Sequence, residues 1–338
     1  MRHVLVRLSI WMSILLLTGC LPEDTDEQLS VIHTVHGQVD AREIGFTLSH
    51  EHLMSNFGMP IEETFEYGET ALYSQVIPYA KKVKELGVNT IFDYTANYFG
   101  RRVDILKTIS DSTGLQIVTN TGIYGAADDR YIPDYAYHET SEELAARWID
   151  EFRNGIDGTG IRPGFIKLAF DDGEPSEIDT KLFEAGVITH LETGLTIAVH
   201  TGSNLAAVQT QFEILEKYSV SPEAWIWTHA NWHDDTGFLL SVASMGGWIS
   251  LDGVKEENTD EFISRLEAFR DAGLLHKVLL SHDGDAWPMG GEIRPFHAIF
   301  THLLPAMREN GYSENAIHQI LSDNPSQAYS IKKRIIDI

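Results

Sequence analysis

Residues 179–201 read DTKLFEAGVITHLETGLTIAVHT, and this stretch contains one complete helix-to-strand unit. Apolar side chains recur with helical spacing over Asp179–Thr193, which predicts an amphipathic helix. Gly194 follows at once, and glycine is the residue that most often ends a helix. The run Thr196–Thr201 is then almost continuously apolar, which is typical of a parallel strand buried on both faces. The stretch therefore predicts alternating strands and helices around a parallel sheet.

Units of this kind recur along the chain from residue 31 onward. Further strands are predicted at Phe46–His52, Val88–Tyr94, Gln116–Thr121, Phe165–Ala169, Ala224–His229, Gly247–Asp252 and Lys277–Asp283. Further helices are predicted at Glu69–Leu86, Val103–Thr113, Ser141–Asn154, Leu205–Tyr218, Thr236–Met245, Asp260–Ala272, Phe296–Asn310 and Ser313–Leu321. Eight such units in one domain-sized chain predict an α/β fold, a single (β/α)8 TIM barrel, more readily than an open doubly wound sheet. A small N-terminal β-hairpin is expected over Val31–Gly45.

Composition and charge exclude several classes of function. The 338 residues carry 25 Lys and Arg against 50 Asp and Glu, a net charge of −25. Nucleic-acid binding depends on clustered basic residues, so no nucleic-acid partner is expected. No glycine-rich phosphate loop opens a helix, which leaves nucleotide cofactors without support. A single cysteine can form neither an internal disulfide nor a thiolate zinc site.

The first thirty residues predict export and membrane anchoring. Residues 1–19 carry two arginines and then an apolar run, Leu8–Leu17, which is typical of a secretory signal. The end of this segment resembles a bacterial lipobox, in which the following cysteine, here Cys20, carries the lipid anchor. These patterns predict a lipoprotein signal peptide, an acidic tether over 20–30 and a domain over 31–338, on the periplasmic face of the bacterial cell envelope. The leucine after the cysteine favours the outer membrane, and an ordinary signal peptide or an uncleaved anchor is the alternative.

The first barrel strand ends in a His-Glu-His sequence. His50 and His52 are two residues apart on a strand, so both side chains point to one face while Glu51 points to the other. Catalytic residues of a barrel belong at this end of the strands, and two imidazoles on one edge can reach one metal ion. Taken alone, two such histidines are more often satisfied core residues than ligands.

Four residues on later strands strengthen the metal interpretation. His200, His229 and Asp283 each end an apolar strand, where a polar group without a partner is poorly accommodated. Lys167 lies within Phe165–Ala169 and is expected to point into the barrel. A bare ammonium there would be repelled by divalent cations, so the lysine would have to be modified or neutralised. Four histidines and a carboxylate that converge on one mouth are hard to explain as core residues.

With these residues in place, the sequence resembles the phosphotriesterase-like branch of the amidohydrolase superfamily. The resemblance covers nearly the whole chain after the signal segment, and its motifs occur in the right order on the right strands. The matching segments are His33–Gly37, Gly45–Leu53, Thr121–Tyr124, Gly164–Lys167, His200–Thr201, Thr228–His229, Ser281–Asp283 and Asn324–Pro325.

The resemblance implies a centre of two divalent metal ions, commonly zinc. The implied ligands are His50, His52, Lys167, His200, His229 and Asp283. His200 and His229 would bind the more exposed ion, and a carboxylated Lys167 and a hydroxide would bridge the two ions. The hydroxide would be the nucleophile and Asp283 would take its proton, so that Asp283 and Lys167 are the implied catalytic residues. The implied reaction is hydrolysis of an ester-type bond in a lactone, carboxyl ester or phosphoester.

Departures from the family pattern bear on the substrate. After Asp252, phosphotriesterases of the family have a proton-relay histidine and its lactonases an arginine, whereas this chain has Gly253. Efficient organophosphate hydrolysis and close equivalence to acyl-homoserine lactonases are therefore not expected. His233 is either a substitute relay or a solvated loop histidine. The segment after Asp283 is short and glycine-rich, which argues against a pocket for a long acyl chain.

Three aromatic residues are candidates for substrate binding. Tyr124 matches a tyrosine near the metals of lactonase-like members, and Trp232 and Trp287 lie in loops after strand ends. Packed aromatics of the barrel rim are the alternative interpretation.

The favoured function is a metal-dependent hydrolase of a small-molecule ester, with the lipid anchor as its membrane contact. One alternative is a non-catalytic periplasmic lipoprotein that binds a small molecule. Another is an amide hydrolase, against which the His-Glu-His-Leu and Asn-Pro segments count. The oligomeric state, a homodimer included, stays open.

Overall fold

The computed structural model covers most of the predicted domain. It describes residues 30–59, 66–289 and 291–336. The predicted signal peptide, Cys20 and the tether as far as residue 29 lie outside the described residues. None of the helices in the described ranges combines the length and the hydropathy that a bilayer crossing needs.

A hairpin and ten further strand segments form the sheets of the described part of the molecule. The hairpin pairs β1 (Val31–Thr34) with β2 (Gly37–Asp40) in antiparallel fashion, as predicted. The barrel strands are β3 (Thr47–His52), β4 (Thr90–Asp93), β5 (Gln116–Val118), β6 (Asn120–Thr121), β7 (Phe165–Ala169), β8 (Thr196–His200), β9 (Trp225–Thr228), β10 (Trp248–Leu251), β11 (Val278–Leu280) and β12 (Gly284–Asp285).

Strand order closes the barrel. Parallel pairing runs β12-β3-β4-β5 in one sheet and β6-β7-β8-β9-β10-β11 in the other. One residue, Thr119, separates β5 from β6, and residues 281–283 separate β11 from β12. Each of these two pairs therefore continues as one barrel strand, which leaves eight strand positions in a ring. The predicted (β/α)8 fold is confirmed.

Helices surround the strands. They are α1 (Glu69–Glu85), α2 (Val103–Thr113), α3 (Asp134–His138), α4 (Ser141–Asn154), α5 (Glu177–Thr193), α6 (Leu205–Lys217), α7 (Thr236–Ser244), α8 (Thr259–Asp271), α9 (Leu304–Glu309), α10 (Glu314–His318) and α11 (Asn324–Tyr329). The bounds of α2 and α4 are those predicted. The short helices α3 and α11 were not predicted, because five or six residues carry too little periodicity to be recognised.

Two predicted helices begin elsewhere. Helix α5 starts at Glu177, two residues earlier than predicted, because Ser176 and Asp179 form a capping box at its N-terminus. The helix predicted from Phe296 starts later, and a π-helical turn over Ile299–Leu303 precedes α9. The Phe296 N–H instead donates to the hydroxyl of Tyr79, outside any helix.

Apolar side chains fill the barrel below its mouth. The cluster includes Ile32, Phe92, Val118, Phe165, Ala198, Ile226, Leu279 and Tyr329. Ile32 comes from the hairpin and Tyr329 from α11, so these two elements close the N-terminal end of the barrel. A barrel interior packed in this way is a core and not a pore, which leaves the C-terminal end of the strands for chemistry.

Candidate metal centre

The two histidines at the end of β3 converge with Asp283 on one point at the barrel mouth. His50 Nε2 and His52 Nε2 each lie 3.3 Å from Asp283 Oδ1. Both imidazoles are buried, whereas about a quarter of the Asp283 side chain (24%) is exposed, so the carboxylate faces the opening. Two imidazole nitrogens and a carboxylate oxygen at one point are a suitable donor set for a divalent cation.

His200 and His229 form a second pair beside the first. Their ring centres are 4.6 Å apart, and the ring of His229 is centred 5.0 Å from that of His50. Tyr124 Oη lies 3.4 Å from His200 Nδ1, and Trp232 stacks on His229 with a ring separation of 4.4 Å. The structure therefore brings all four histidines implied by the sequence into one site, with two of the three predicted aromatic residues against them.

Two of these residues hold strained backbone conformations. His229 has φ of +60° and Asp283 has φ of +51°, in the left-handed region that residues with a Cβ seldom occupy. The His229 N–H donates to Asp252 Oδ2 at 2.8 Å, and the Asp283 N–H donates to the carbonyl of His50 at 3.2 Å. Strain of this kind persists only where surrounding contacts enforce it, and it concentrates at functional sites.

Lys167 projects from β7 into the centre of the site. Its side chain is buried, and Nζ has no hydrogen-bond partner among the residues that the structure describes. The ring of Tyr94 is centred 4.9 Å from Nζ. Burial lowers the pKa of Lys167 to about 7, although the carboxylates of Asp252 and Asp283 act in the opposite direction. A substantial fraction of this amine is therefore uncharged near neutral pH.

Gly122, directly after β6, packs closely against the backbone of Lys167. A Cβ at this position would lie 2.3 Å from the carbonyl oxygen of Lys167, and φ of Gly122 is +111°. Only glycine combines that close approach with that conformation. The approach leads the chain to Tyr124, at the edge of the site.

Asp252, at the end of β10, is a site residue that sequence reasoning missed. Its Oδ2 lies 3.3 Å from His50 Nδ1 and 3.5 Å from His229 Nδ1, so one carboxylate faces a histidine of each pair. Burial raises the pKa of Asp252, but His50 and His229 outweigh that effect and hold it below its usual value. A carboxylate behind a ligating histidine orients the ring and increases its basicity. The signal was present in Leu251-Asp252-Gly253, because Asp252 ends a barrel strand as His200 and His229 do.

Hydrogen bonding fixes the tautomer of His52. Thr95 Oγ1 donates to the carbonyl of Met54 at 2.7 Å, so it accepts from His52 Nδ1–H at 2.9 Å. His52 Nε2 is then left with its lone pair toward Asp283. Burial also lowers the pKa of His52 and of His229 to about 4 in each case. Both imidazoles are therefore neutral at pH 7, the form that binds metals.

Glu51 points away from the site and holds the segment that carries Asp283. Glu51 Oε1 accepts from the Ser281 hydroxyl at 2.8 Å and from the His282 N–H at 3.1 Å, and Oε2 accepts from the Gly284 N–H at 2.7 Å. The alternation within His-Glu-His predicted that Glu51 faces the other side. Its contacts across 230 residues of sequence could not be read from the local pattern.

A cavity of about 230 Å³ opens above the site. Its lining comprises His50, His52, Phe57, Phe99, Tyr124, Lys167, His200, His229, Trp232, Asp283 and Arg294. Of the predicted substrate residues, Tyr124 and Trp232 line it, whereas Trp287 is not part of its lining. His233 packs against Trp227 with ring centres 5.9 Å apart, and it too lies outside the lining. Arg294 is a cavity residue that the sequence did not reveal.

The residues present fit a centre of two metal ions. Nitrogen and carboxylate donors suit zinc and similar divalent cations, and two clusters of three such groups share His50 here. The Nζ of Lys167 lines the same cavity as the four histidines and has no hydrogen-bond partner among the described residues. A carboxyl group on that nitrogen would supply the anionic oxygens that two cations need.

Comparison with known proteins agrees with this site. The model of the Phosphotriesterase family matches residues 30–329. Aryldialkylphosphatase of Saccharolobus solfataricus is 28% identical, over 86% of this chain and 97% of the relative. Phosphotriesterase homology protein of Escherichia coli is 26% identical over 84% and 98%, and N-acetyltaurine hydrolase of Danio rerio is 23% identical over 89% and 98%. The chain is a hydrolase-type barrel that belongs to the phosphotriesterase family.

Proposed function

We propose that this protein is a hydrolase of ester-type bonds that uses two divalent metal ions, most readily zinc. The observation that carries the proposal is the position of Lys167. A buried amine without a hydrogen bond is costly, and the fold retains it at the centre of four histidines and a carboxylate. Addition of the Lys167 amine to carbon dioxide, with loss of one proton, forms a carbamate. That group would remove the free-energy cost of a buried amine without a hydrogen bond, and its oxygens would serve as ligands for the metal ions.

The side chains around the site have separable roles. Bound divalent cations supply a Lewis acid and lower the pKa of water towards neutrality. Burial raises the pKa of Asp283, but the hydrogen bond with His50 and the neighbouring imidazoles hold it well below its usual value, so the carboxylate is free of a proton. With a quarter of its side chain exposed, Asp283 can accept a proton from the attacking water. Asp252 keeps His50 and His229 oriented.

The bond that is cleaved is the finer part of the proposal. Gly253 provides no relay side chain, which disfavours phosphotriesters, and it also lacks the arginine of the family's acyl-homoserine lactonases, so carboxyl esters and other lactones are the preferred class. One matched relative is named for an aryl dialkyl phosphate and another for N-acetyltaurine, which is an amide. Amide hydrolysis is therefore the second candidate, since a relative that matches 89% of this chain is named for that bond.

A metal count combined with a substrate screen tests the proposal. The full chain, prepared with zinc and bicarbonate, should bind close to two ions and hydrolyse at least one of a lactone, an aryl ester, a phosphotriester or an N-acyl amide. Asp283→Asn should lose turnover by about 10³-fold or more, since several kcal/mol of transition-state stabilisation is removed. Asp171→Asn is the matched control, because Asp171 lies at the same end of the barrel but outside the cavity lining. Failure to bind metal, or equal turnover in Asp283→Asn, would overturn the proposal.

The same experiment decides between catalysis and simple binding. A non-catalytic lipoprotein would bind small molecules at the barrel mouth and show no turnover in any class.

We further propose that Cys20 carries a lipid on the periplasmic face of the cell envelope, as the N-terminal pattern predicts. Cys20→Ser should then move the protein from the membrane fraction to the soluble periplasmic fraction, and an unchanged distribution would reject the anchor.

A further inference from the structure

Arg294 lies where the metal cavity meets a second, larger cavity. The outer cavity has a volume of about 640 Å³ and lies between the segment after β10 and residues 293–302. Trp232, Asp283 and Arg294 line both cavities. A substrate bound at the metal centre can therefore extend past Arg294 into the outer space.

Gly253 keeps the floor of the outer cavity open. A Cβ at this position would meet only Asn231 Nδ2, at 3.8 Å, among the described residues. A large side chain here would project into otherwise empty space and narrow the cavity. The φ of +89° also favours glycine. Because Gly253 has no side chain, it provides no proton relay, but it leaves room for part of the substrate.

The backbone of Arg294 is fixed, but its guanidinium is not. Arg294 N–H donates to the carbonyl of Asp285 at 3.0 Å, and Asp285 N–H donates to the carbonyl of Arg294 at 2.8 Å. The side chain is about half exposed (49%), and no hydrogen bond from it is found among the described residues. Its one ion-pair contact joins Nη1 to Asp283 Oδ2 at 3.7 Å, and Asp283 already contacts His50 and His52.

An arginine held in this way contrasts with the rest of the chain. Acidic residues outnumber basic ones two to one, and most arginines of the described surface pair with nearby carboxylates, for example Arg147 with Glu139 and Arg308 with Glu314. Of the carboxylates lining the outer cavity, Glu256 already faces His302 at 3.4 Å. Lys255 is the other lysine or arginine in that lining. The one carboxylate in contact with Arg294, that of Asp283, is 3.7 Å away and already contacts His50 and His52, so the planar guanidinium keeps donors for two oxygens of an anion.

We propose that Arg294 binds an anionic oxyacid group of the substrate, a carboxylate or a sulfonate, on the part that occupies the outer cavity. The short distance from Arg294 to Asp283 places this group only a few bonds from the scissile bond. The inference rests on the proposed hydrolase function and adds a substrate class to it. It also predicts that anionic substrates are favoured although the surface of the protein is acidic. Arg294 is close to the bound substrate, whereas the more distant acidic side chains are screened by salt.

Matched acetyl esters test the inference. The probes are 4-acetoxybenzoate, 4-acetoxybenzenesulfonate and the neutral 4-acetoxybenzamide, which have similar size and reacting bond. Wild type should favour at least one of the anionic esters over the neutral one by about tenfold or more in kcat/KM, mainly through KM. The two anionic probes distinguish a planar carboxylate from a tetrahedral sulfonate.

Variants assign the preference to one side chain. Arg294→Gln should reduce the ratio of anionic to neutral kcat/KM to about one. Arg294→Lys should give an intermediate ratio, because a single ammonium group replaces the paired N–H donors of the guanidinium. Lys255→Gln should retain the ratio. A ratio that falls in Lys255→Gln instead, or that is near one in wild type, would overturn the assignment while the hydrolase function stands.

A binding measurement keeps the inference testable if no ester is hydrolysed. Calorimetric titration should show tighter binding of 4-hydroxybenzoate than of 4-hydroxybenzamide to metal-loaded wild type, and a smaller difference in Arg294→Gln. Absence of turnover with this difference present would reject the proposed function alone. An equal difference in both proteins would mean that the anion binds the metal ions directly and would reject the role of Arg294.

Discussion

Lys167 and Arg334 are both buried cations, but their surroundings are opposite. Lys167 lies within β7 at the metal cavity, and its Nζ has no hydrogen-bond partner in the described part of the chain. Arg334 follows the last helix, at the opposite end of the barrel. Its guanidinium donates to the carbonyls of Gln327, Ala328 and Ser330 and to the Thr196 hydroxyl, at 2.8–3.1 Å.

The difference separates a structural cation from a functional one. A buried charge is tolerated when hydrogen bonds replace its water, as the carbonyls do around Arg334. Burial lowers the pKa of Arg334 only to about 10, so it keeps its charge at neutral pH, whereas burial lowers that of Lys167 to about 7. A buried titratable group that a fold retains without compensation is a candidate for chemistry, and that is the role proposed for Lys167.

The largest expected effect is that of Lys167→Met on catalysis. Methionine has similar length and no ligating nitrogen, so metal binding and turnover should fall by about 10³-fold or more. In the presence of a chelator, however, the free energy of unfolding should rise by about 1–3 kcal/mol, because an unpartnered buried amine is removed. Rate measurements with zinc and denaturant titrations with chelator check the two parts.

Partial rescue sharpens this result. Lys167→Ala leaves space where the carbamate would lie, so a short carboxylate such as acetate or propionate should restore part of the metal binding. Lys277→Ala is a suitable control, because that largely buried lysine pairs with Glu223 away from the cavity. Lower stability of Lys167→Met without metal would contradict the view that the amine is uncompensated.

Arg334→Met should have the reverse effect. Several carbonyls and a hydroxyl lose their donor in the interior, so the free energy of unfolding should fall by about 3 kcal/mol. Turnover per folded molecule should stay close to that of wild type at a temperature where the variant is folded. Chemical denaturation and active-site-normalised rates provide the measurements, and a variant as stable as wild type would remove the contrast with Lys167.

Sequence reasoning located Lys167 but not Arg334, and the reason is physical. Strand period and barrel topology place every residue at the end of a barrel strand near the same mouth, so His50, His200 and Asp283 could be brought together from local patterns. Their interpretation as metal ligands rested on the residue types and on the family resemblance. Arg334 acts through carbonyls of an irregular segment, for which no periodic signal exists.

Groups positioned by long-range packing were likewise missed. Asp252 behind the histidines and Arg294 at the cavity junction depend on contacts between segments far apart in sequence. Trp287 shows the opposite error, because its position after Asp283 suggested a substrate wall although it does not line the cavity. Loop direction after a strand end is set by packing and cannot be derived from the order of residues alone.

Asp252→Asn tests whether the carboxylate behind the histidines supports the metal centre. The change keeps the shape but removes the charge facing His50 and His229, so metal affinity should fall about 10- to 100-fold. Titration with a competing zinc indicator measures this affinity directly. Ser250→Ala is a milder companion, since the Ser250 hydroxyl donates to Asp252 Oδ1 at 2.8 Å. Unchanged affinity in Asp252→Asn would confine metal binding to the residues that line the cavity.

The smallest effect is a pH dependence at the Arg334 end of the barrel. His190 is buried, with Nδ1 2.8 Å from the Leu195 carbonyl, and its Nε2 accepts the Arg334 N–H at 3.0 Å. Burial lowers the pKa of His190 to about 4, below its unfolded value near 6.5. The unfolded chain therefore binds the additional proton between pH 6.5 and 4, and stability falls as pH falls through that window.

His190→Gln removes this titration. The loss of unfolding free energy between pH 7.5 and pH 5 should be smaller in His190→Gln by about 1–2 kcal/mol. Parallel pH profiles from denaturant titration test the difference, and identical slopes would show that His190 is protonated in the folded state as readily as in the unfolded one. In that case neither His190 nor Arg334 would make the free energy of unfolding depend on pH, because the charge of Arg334 is the same at pH 7.5 and at pH 5.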